Sequence, residues 1–435
     1  MSVTMRRRLP EHFPGRPGKT LSRRSARSAM AVLGTASVLL GSTALPGQVA
    51  SASAQANTVT ITIGYSAGTG DTYYTNEFAA AEKAMPSIKI KPVVYPTYDE
   101  QLAEMPAEAA AGTLPDIIVW DNSAPVGQYA AEKAIQPLSA YVSPNRVNLN
   151  LFPKALVQAW TYGGKLYGIP LYLQDSAMVY NLSILHKAGI KTLPTTTAQL
   201  ESDAVTVHDK TGKAGLTILP NLFHLTQYVL AFGGGWHFGK TIDSAQNVAG
   251  LQFLVKVFTK EKAGVLPAAV GATWDGQVVA ENDAAMSDGG PWYISFMKAT
   301  APKVDYVLRP IPTSSGGHFV VTYGGAYSVT SSDKDPALAM HLLALLGGMA
   351  ADRAMVTSAL GFVPAMTQFL SSYRALYPKY DGITNADLAH GKTLQYPPKT
   401  IQFGNALTNG FEQIVDTGSG SVSALLAKLQ KQYGS

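Results

Sequence analysis

From residue 58 onward the chain alternates between two hydrophobic periods. Thr58-Val-Thr-Ile-Thr-Ile63 switches strictly between polar and apolar and ends at Gly64, the period-two pattern of a half-buried strand. A glycine-bearing loop runs to Gly70. Asp71 to Met85 then carries a helical pattern, with Asp71 or Thr72 placed to cap it and Pro86 beyond its end. Lys89 to Val94 predicts a second strand, Tyr98 to Ala111 a helix stopped by Gly112, and Asp116-Ile-Ile-Val-Trp120 a buried strand. This strand–helix–strand–helix–strand rhythm predicts an α/β domain with a largely parallel sheet. Ligands in such sheets sit beyond the carboxyl ends of the strands. That rule directs attention to Ser66–Gly70 and to Asp121–Ser123.

The rhythm continues with more helix. Leu166 to Ile169 and Ala177 to Tyr180 predict short strands, and Gln246 to Thr259 an amphipathic helix. Pro336 to Val356 predicts one long helix, and Ser421 to Gln432 a closing one. No fixed-period repeat and no low-complexity linker interrupts the chain, which predicts two lobes that share crossing strands rather than beads on a string.

Composition adjusts this picture at the N-terminus. Hydrophobic residues are 46% of the chain and charged residues only 14%, against about 25% charged in an ordinary soluble domain. The net charge of +5 is misleading, because residues 1–54 hold eight basic residues against Glu11, and without them the remainder stands at −2. A slightly acidic remainder has no basic face, so nucleic acid is not an expected partner. Residues 1–54 themselves predict a signal peptide: a basic stretch ending at Arg27, an uncharged apolar run from Ala29 to Leu45, and a small-residue cleavage site at Ala52-Ser53-Ala54, with Ala54-Gln55-Ala56 close behind. Gly, Ser and Thr dilute the run below the ~20 apolar residues that span a bilayer. Ser22-Arg23-Arg24 resembles the start of a twin-arginine signal, although Ala26 stands where a bulky apolar residue is expected; the general secretory route is the alternative. The chain contains no cysteine. That removes disulfides, thiol catalysis and lipid attachment at a leader cysteine, so the expected product is exported, periplasmic or extracellular, and not lipid-anchored.

Two catalytic patterns occur in contexts that do not support them. Gly64-Tyr65-Ser66-Ala67-Gly68 matches the nucleophile elbow G-x-S-x-G, but it follows the first predicted strand and three loop residues separate it from any helix. A strand-end loop whose glycines let backbone approach a ligand is the better reading. Gly234 to Thr241 matches G-x-x-x-x-G-K-T, but Thr226 to Phe232 before it reads as helix, and the next helix begins only after Asp243 or Ser244. A phosphate cradle needs a strand before and a helix at once after. The scattered histidines form no zinc-binding pair.

From Gly112 onward the chain resembles a known family. Gly112-Thr-Leu-Pro-Asp-Ile-Ile-Val-Trp-Asp121, Gln128-Tyr-Ala-Ala, Ile135-Gln-Pro-Leu138, Gly163-Gly-Lys-Leu-Tyr-Gly-Ile-Pro170, Val179-Tyr-Asn181 and Lys187-Ala-Gly-Ile190 are similar, in order and spacing, to segments of the extracellular solute-binding proteins of carbohydrate importers, the maltose-binding-protein-like group. Ala285-Met286, Gly290-Pro-Trp292, Gly324-Gly325, Asp333 to Ala339 and Gly361-Phe-Val-Pro-Ala365 continue the series, while Pro194-Thr-Thr-Thr-Ala-Gln-Leu200 lacks the Trp and Glu usual there. The resemblance implies a two-lobed periplasmic-binding-protein fold, type II-like, with the ligand in a cleft between lobes. Crossing hinge segments are expected near Pro170–Leu173, near Val320–Tyr323 and around 360–375. Lobe I would comprise residues 57–171 plus 323–365, and lobe II residues 172–322 plus 366–435. It further implies a monomer without cofactor or chemistry, which takes a mono- or oligosaccharide and hands it to the membrane permease of an ABC importer. Two alternatives stay open: an exported serine hydrolase using Ser66, and a receptor for a non-sugar solute such as a polyamine.

A sugar presents apolar C–H faces to aromatic rings and hydroxyls to paired donors and acceptors. Trp120 with Asp121 and Asn122 offers a ring, a carboxylate and an amide at a strand end. The resemblance places ligand contacts at Tyr172, Gln174 and Asp175 after the first crossing, and a stacking ring at Trp292. Further candidates are Trp236, Trp274 with Asp275, and Phe223 with Asn221 and His224. Tyr323 and Gly324 would contact ligand or free a hinge, and Trp160 is expected to be structural.

Overall fold

The computed structural model describes residues 58–67, 71–143, 147–358 and 361–435. The expected leader, 1–54, and Gly68–Gly70 lie outside the described residues. The chain folds as two α/β lobes, each built on its own sheet. The first sheet takes the strands Val59–Ser66, Ile88–Tyr95 and Ile117–Trp120 in parallel, with Val59–Ser66 central. Its far side is completed by Ala326–Val329 and Ile169–Pro170, both antiparallel to their neighbours. The predicted rhythm is thus present, and the parallel half is the part that the early sequence covers.

Local chemistry explains several boundaries. Thr97 caps the helix Tyr98–Ala111 by accepting from the Glu100 N–H, and Gly112 ends it at φ +67, where a side chain would be strained. Asp116 latches the first and third strands: its Oδ2 accepts from the Thr62 N–H at 2.7 Å and from Thr62 Oγ1 at 2.6 Å. Thr196, in the segment that departs from the resembling family, caps the helix Thr197–Thr211.

The second sheet is organised by one strand, Tyr172–Asn181, all ten residues of which are buried. Ala177–Asn181 pair antiparallel with Ala284–Gly289 and Tyr306–Arg309, and Ala214–Thr217 and Gly264–Val265 continue the sheet beyond. Its first half pairs elsewhere. Tyr172 and Leu173 meet Pro364 and Val363, while Gln174–Ser176 meet Tyr323–Val321. Of the segments expected as crossings, the first thus opens this strand, and parts of the other two pair with its first half. The short strand expected at Ala177–Tyr180 is longer than its apolar pattern, because Gln174, Asp175 and Ser176 are buried polar residues held by tertiary pairing.

Two further expectations are corrected. Pro336–Val356 is not one helix: Pro336–Leu346 and Met349–Thr357 meet at 45°. Gly347 and Gly348 stand at the bend, and a Cβ at Gly347 would lie 2.8 Å from Ile169 Cγ2, so the glycine permits the helix to reach the crossing region. Leu166–Ile169 is likewise divided. Lys165–Leu166 pairs with Thr161–Tyr162, and Ile169–Pro170 joins the first sheet. Gly168 sits between them against the Trp160 ring, which a Cβ would meet at 2.5 Å.

Candidate functional site

The wall formed by the first lobe begins at the carboxyl ends of its strands. Ser66 Oγ, closing the first strand, donates to Asp121 Oδ2 at 3.1 Å. The Tyr172 hydroxyl, opening the long strand, donates to Asp121 Oδ1 at 3.2 Å. Burial pushes the Asp121 carboxyl above its ordinary value, and these two hydrogen bonds partly offset that. Asn122 follows, its Oδ1 accepting from the Ala124 N–H at 2.9 Å, which turns the chain towards the second lobe. The Ser66 hydroxyl is thus engaged by a carboxylate, not by a histidine.

The opposing wall is aromatic. Asn221 caps the helix Leu222–Ala231 and brings Phe223 to its first turn. The Phe223 ring meets Tyr323 edge-on at 5.1 Å and Trp292 at 6.1 Å. Trp292 opens the helix Trp292–Thr300 after Gly290-Pro291 and is half-buried. Gly290 is required there, because a Cβ would lie 2.4 Å from the Asp175 backbone oxygen. Three predicted residues, Phe223, Trp292 and Tyr323, therefore form one cluster, contributed by two helix starts and a crossing strand.

Ionisable groups lie beneath this cluster. His224 Nδ1 is 2.7 Å from Asp288 Oδ2, and both side chains are buried. Burial lowers the imidazole pKa, but the carboxylates of Asp288 and Asp275 raise it further, to about 9. Asp275 accepts from Ser287 Oγ at 2.6 Å and also from the Tyr293 hydroxyl. Asp175 accepts from the Tyr380 hydroxyl, and burial pushes its carboxyl up to about 7. Gln174 is buried beside it, with Oε1 unpartnered.

Between the walls lies a cavity of about 540 Å³, within the range of small-molecule sites. From the first lobe it is lined by Tyr98, Leu102, Ala103, Asn122, Ala124 and Pro125; from the second by Asn221–Phe223, Tyr396, Thr400, Ile401, Gly404, Asn405, Thr408 and Asn409. The lobes touch at one edge, where Thr400 Oγ1 approaches the Ala124 oxygen at 3.5 Å. A second cavity of about 520 Å³ shares Ala124, Tyr396 and Thr400 and continues past Tyr162 and Phe238.

The predicted residues divide by position. Asn122 and Phe223 line the cavity; Trp292 and Tyr323 touch Phe223; Asp121 and Tyr172 are joined to each other beside Asn122. Gln174 and Asp175 pair with Tyr323 and Thr322. Gly324 lets the chain pass the long strand, since a Cβ there would meet the Tyr172 oxygen at 2.0 Å. Two tryptophans require correction. Trp120 has no exposed surface and leans on Tyr129 in the first core, so its ring is not an open platform. Trp236 is equally buried: it donates from Nε1 to Thr226 Oγ1 at 2.8 Å and packs on Phe403. Trp274 is half-buried, like Trp292, packs edge-on against Tyr293 and Phe296, and is not among the described residues that line the cavity.

Sequence reasoning missed the contribution of the helix Thr400–Thr417. A signal existed, since Asn405 and Asn409 stand four apart on one face, and a glycine inside a helix, Gly404, calls for a packing reason. Leu222 supplies that reason, lying 3.2 Å from where a Gly404 Cβ would be.

Comparison with known proteins is consistent with this architecture. The family model for bacterial extracellular solute-binding protein matches residues 74–377. The maltodextrin-binding protein MdxE of Bacillus subtilis (strain 168) is 25% identical over 338 residues, covering 74% of this chain and 77% of that one. A galactooligosaccharide-binding protein of the same organism is 24% identical over 284 residues, covering 62% and 64%. Among solved structures, the ABC substrate-binding protein Lmo0181 from Listeria monocytogenes, in complex with cycloalternan, superposes with a TM-score of 0.75 at 17% identity, over 86% of this chain and 98% of that one. The GacH receptor of Streptomyces glaucescens GLA.O gives 0.71 at 20% identity, over 86% and 97%. At such identities the structural matches speak to fold.

Proposed function

Because the chain belongs to the bacterial extracellular solute-binding protein family, we propose that the solute is a sugar or oligosaccharide, held in the interlobe cleft and delivered to the membrane permease of an ABC importer. The observation that carries this reading is the pairing of wall chemistries. The cluster Phe223–Trp292–Tyr323 offers ring faces, and Asn122, Asn221, Asn405 and Asn409 offer amides around the same space. Rings against C–H faces and amides against hydroxyls are what a saccharide needs. The relatives whose names mention maltodextrin and galactooligosaccharide support the same solute class.

The binding residues in this reading are Phe223, Trp292, Tyr323 and Asn122, with Asp121, Tyr172, Gln174 and Asp175 forming the floor. Residues 57–171 and 323–365 move as one lobe and 172–322 with 366–435 as the other, hinged at the three expected crossings. Closure follows ligand because the closed state gains contacts from both walls. The receptor acts as a monomer after removal of a leader near Ala54.

Thermal-shift screening of the protein without residues 1–54 against mono- and oligosaccharides tests the proposal. A ligand at 100 times its dissociation constant stabilises by about 2.7 kcal/mol, a rise in Tm of several degrees. No shift with any saccharide, together with a clear shift from a polyamine or an anion, would overturn the solute class.

A further inference from the structure

The cavity between the lobes carries an unexpected absence. Among the described residues, none that lines it is Asp, Glu, Lys, Arg or His. Its polar groups are four amides and the hydroxyls of Thr400, Thr408, Tyr98 and Tyr396. Asn122 and Asn221 each spend Oδ1 on a backbone N–H, of Ala124 and His224 respectively, which leaves their amide nitrogens as the groups offered to a ligand. Asn405, Thr408 and Asn409 occupy one face of a helix, at spacings of three and four.

The buried carboxylates near the site are engaged elsewhere, and Glu132 and Lys399 line the adjoining cavity, not this one. Asp121 is held by Ser66 and Tyr172, Asp288 by His224, and Asp175 by Tyr380. Among the described residues, an anionic ligand would therefore find no cation lining this cavity, and a cationic ligand would find amide oxygens but no carboxylate. Burying an unpaired ion is strongly unfavourable, whereas a neutral hydroxyl is satisfied by an amide.

We propose that this uncharged, amide-lined wall restricts the receptor to neutral saccharides and excludes their uronate and amino counterparts. The inference rests on the carbohydrate reading above and adds a restriction to it. It also predicts affinity that changes little with salt, since no ion pair forms across the interface.

The test is titration calorimetry of the same protein with neutral trimers of glucose, galactose and mannose, with trigalacturonate, and with the glucosamine trimer, at low and high salt. At least one neutral trimer should bind about ten-fold or more tighter than either charged trimer, the expected minimum for an uncompensated charge. Binding of trigalacturonate or the glucosamine trimer as tight as that of every neutral trimer would overturn the restriction and leave the carbohydrate reading standing. Binding by none of the saccharides would overturn both. Two variants at an exposed helical position keep the restriction falsifiable without risk to folding. Asn405→Asp should improve the glucosamine trimer relative to the neutral one, and Asn405→Lys should do so for trigalacturonate, each by several-fold. Unchanged ratios in both would show that this wall does not set the charge preference.

Discussion

Trp120 and Trp292 are the same side chain at the edges of one cleft, and the fold uses them differently. Trp120 ends a strand of four buried residues, paired across the sheet with Ala326, and its ring leans on Tyr129. Trp292 is the first residue of a helix that leaves the end of a strand, and its ring meets Phe223 while remaining half-buried. A strand inside a sheet covered by helices buries both faces. A helix start beyond the sheet leaves one side free, which is where a ligand can lie. The lesson is that a tryptophan at a strand's carboxyl end is not placed in the crevice by that address alone.

The comparison can be broken most directly by truncation. Trp120→Ala should lower the stability to urea by about 3–5 kcal/mol, the cost of emptying a large buried site, whereas Trp292→Ala, at a half-buried ring, should cost about 1–2 kcal/mol. Equal losses would erase the distinction. Affinity should reverse the order: Trp292→Ala or Phe223→Ala should weaken saccharide binding about ten-fold, or ~1.4 kcal/mol, measured by calorimetry on the folded variant.

The floor beneath Trp292 predicts a pH dependence. Asp175 holds its proton until about pH 7 in the folded chain because burial disfavours its charged form, while in the unfolded chain it loses it near 3.8. The folded state therefore binds more protons between those values, and stability should fall as pH rises through that window. His224, raised to about 9, adds stability that is present below about 6.5 and is lost as pH rises through 9. Asp175→Asn should flatten the part between about pH 4 and 7, by on the order of 1–2 kcal/mol, in denaturation curves taken across pH. An unchanged profile would remove Asp175 from this account. The smallest effect is expected at Ser66→Ala, which loses one hydrogen bond to Asp121 and about 0.5–1.5 kcal/mol. Saccharide affinity should stay within a few-fold. Loss of a measurable esterase activity in this variant would instead favour the hydrolase alternative.

Much of the fold was legible because its signals are local. Alternation in Val59–Ser66 and the stop at Gly112 need only neighbours in sequence. The long strand Tyr172–Asn181 was half-legible, because its first half is paired with segments remote in the chain, Gln174–Ser176 with Tyr323–Val321 and Tyr172–Leu173 with Pro364–Val363. The bend at Gly347 was illegible for the same reason: Ile169, which requires it, is remote in the chain. In the site, Phe223, Trp292 and Tyr323 could be listed as candidates, but nothing in their spacing says that the three rings touch.

By itself the amino-acid sequence determined the α/β rhythm, the lack of cysteine chemistry, the concentration of positive charge in residues 1–54, and a pool of aromatic and polar candidates. Those follow from composition and from interactions over a few residues. Tertiary structure alone decided that Trp120 is core while Trp292 stays half-buried against Phe223, that Val321–Tyr323 and Val363–Pro364 pair with one strand, and that the helix Thr400–Thr417 brings Asn405 and Asn409 to the same cavity as Asn122. The reason is physical: burial, and the pairing of polar groups across a cavity, depend on elements hundreds of residues apart, and no local pattern encodes which of them will meet.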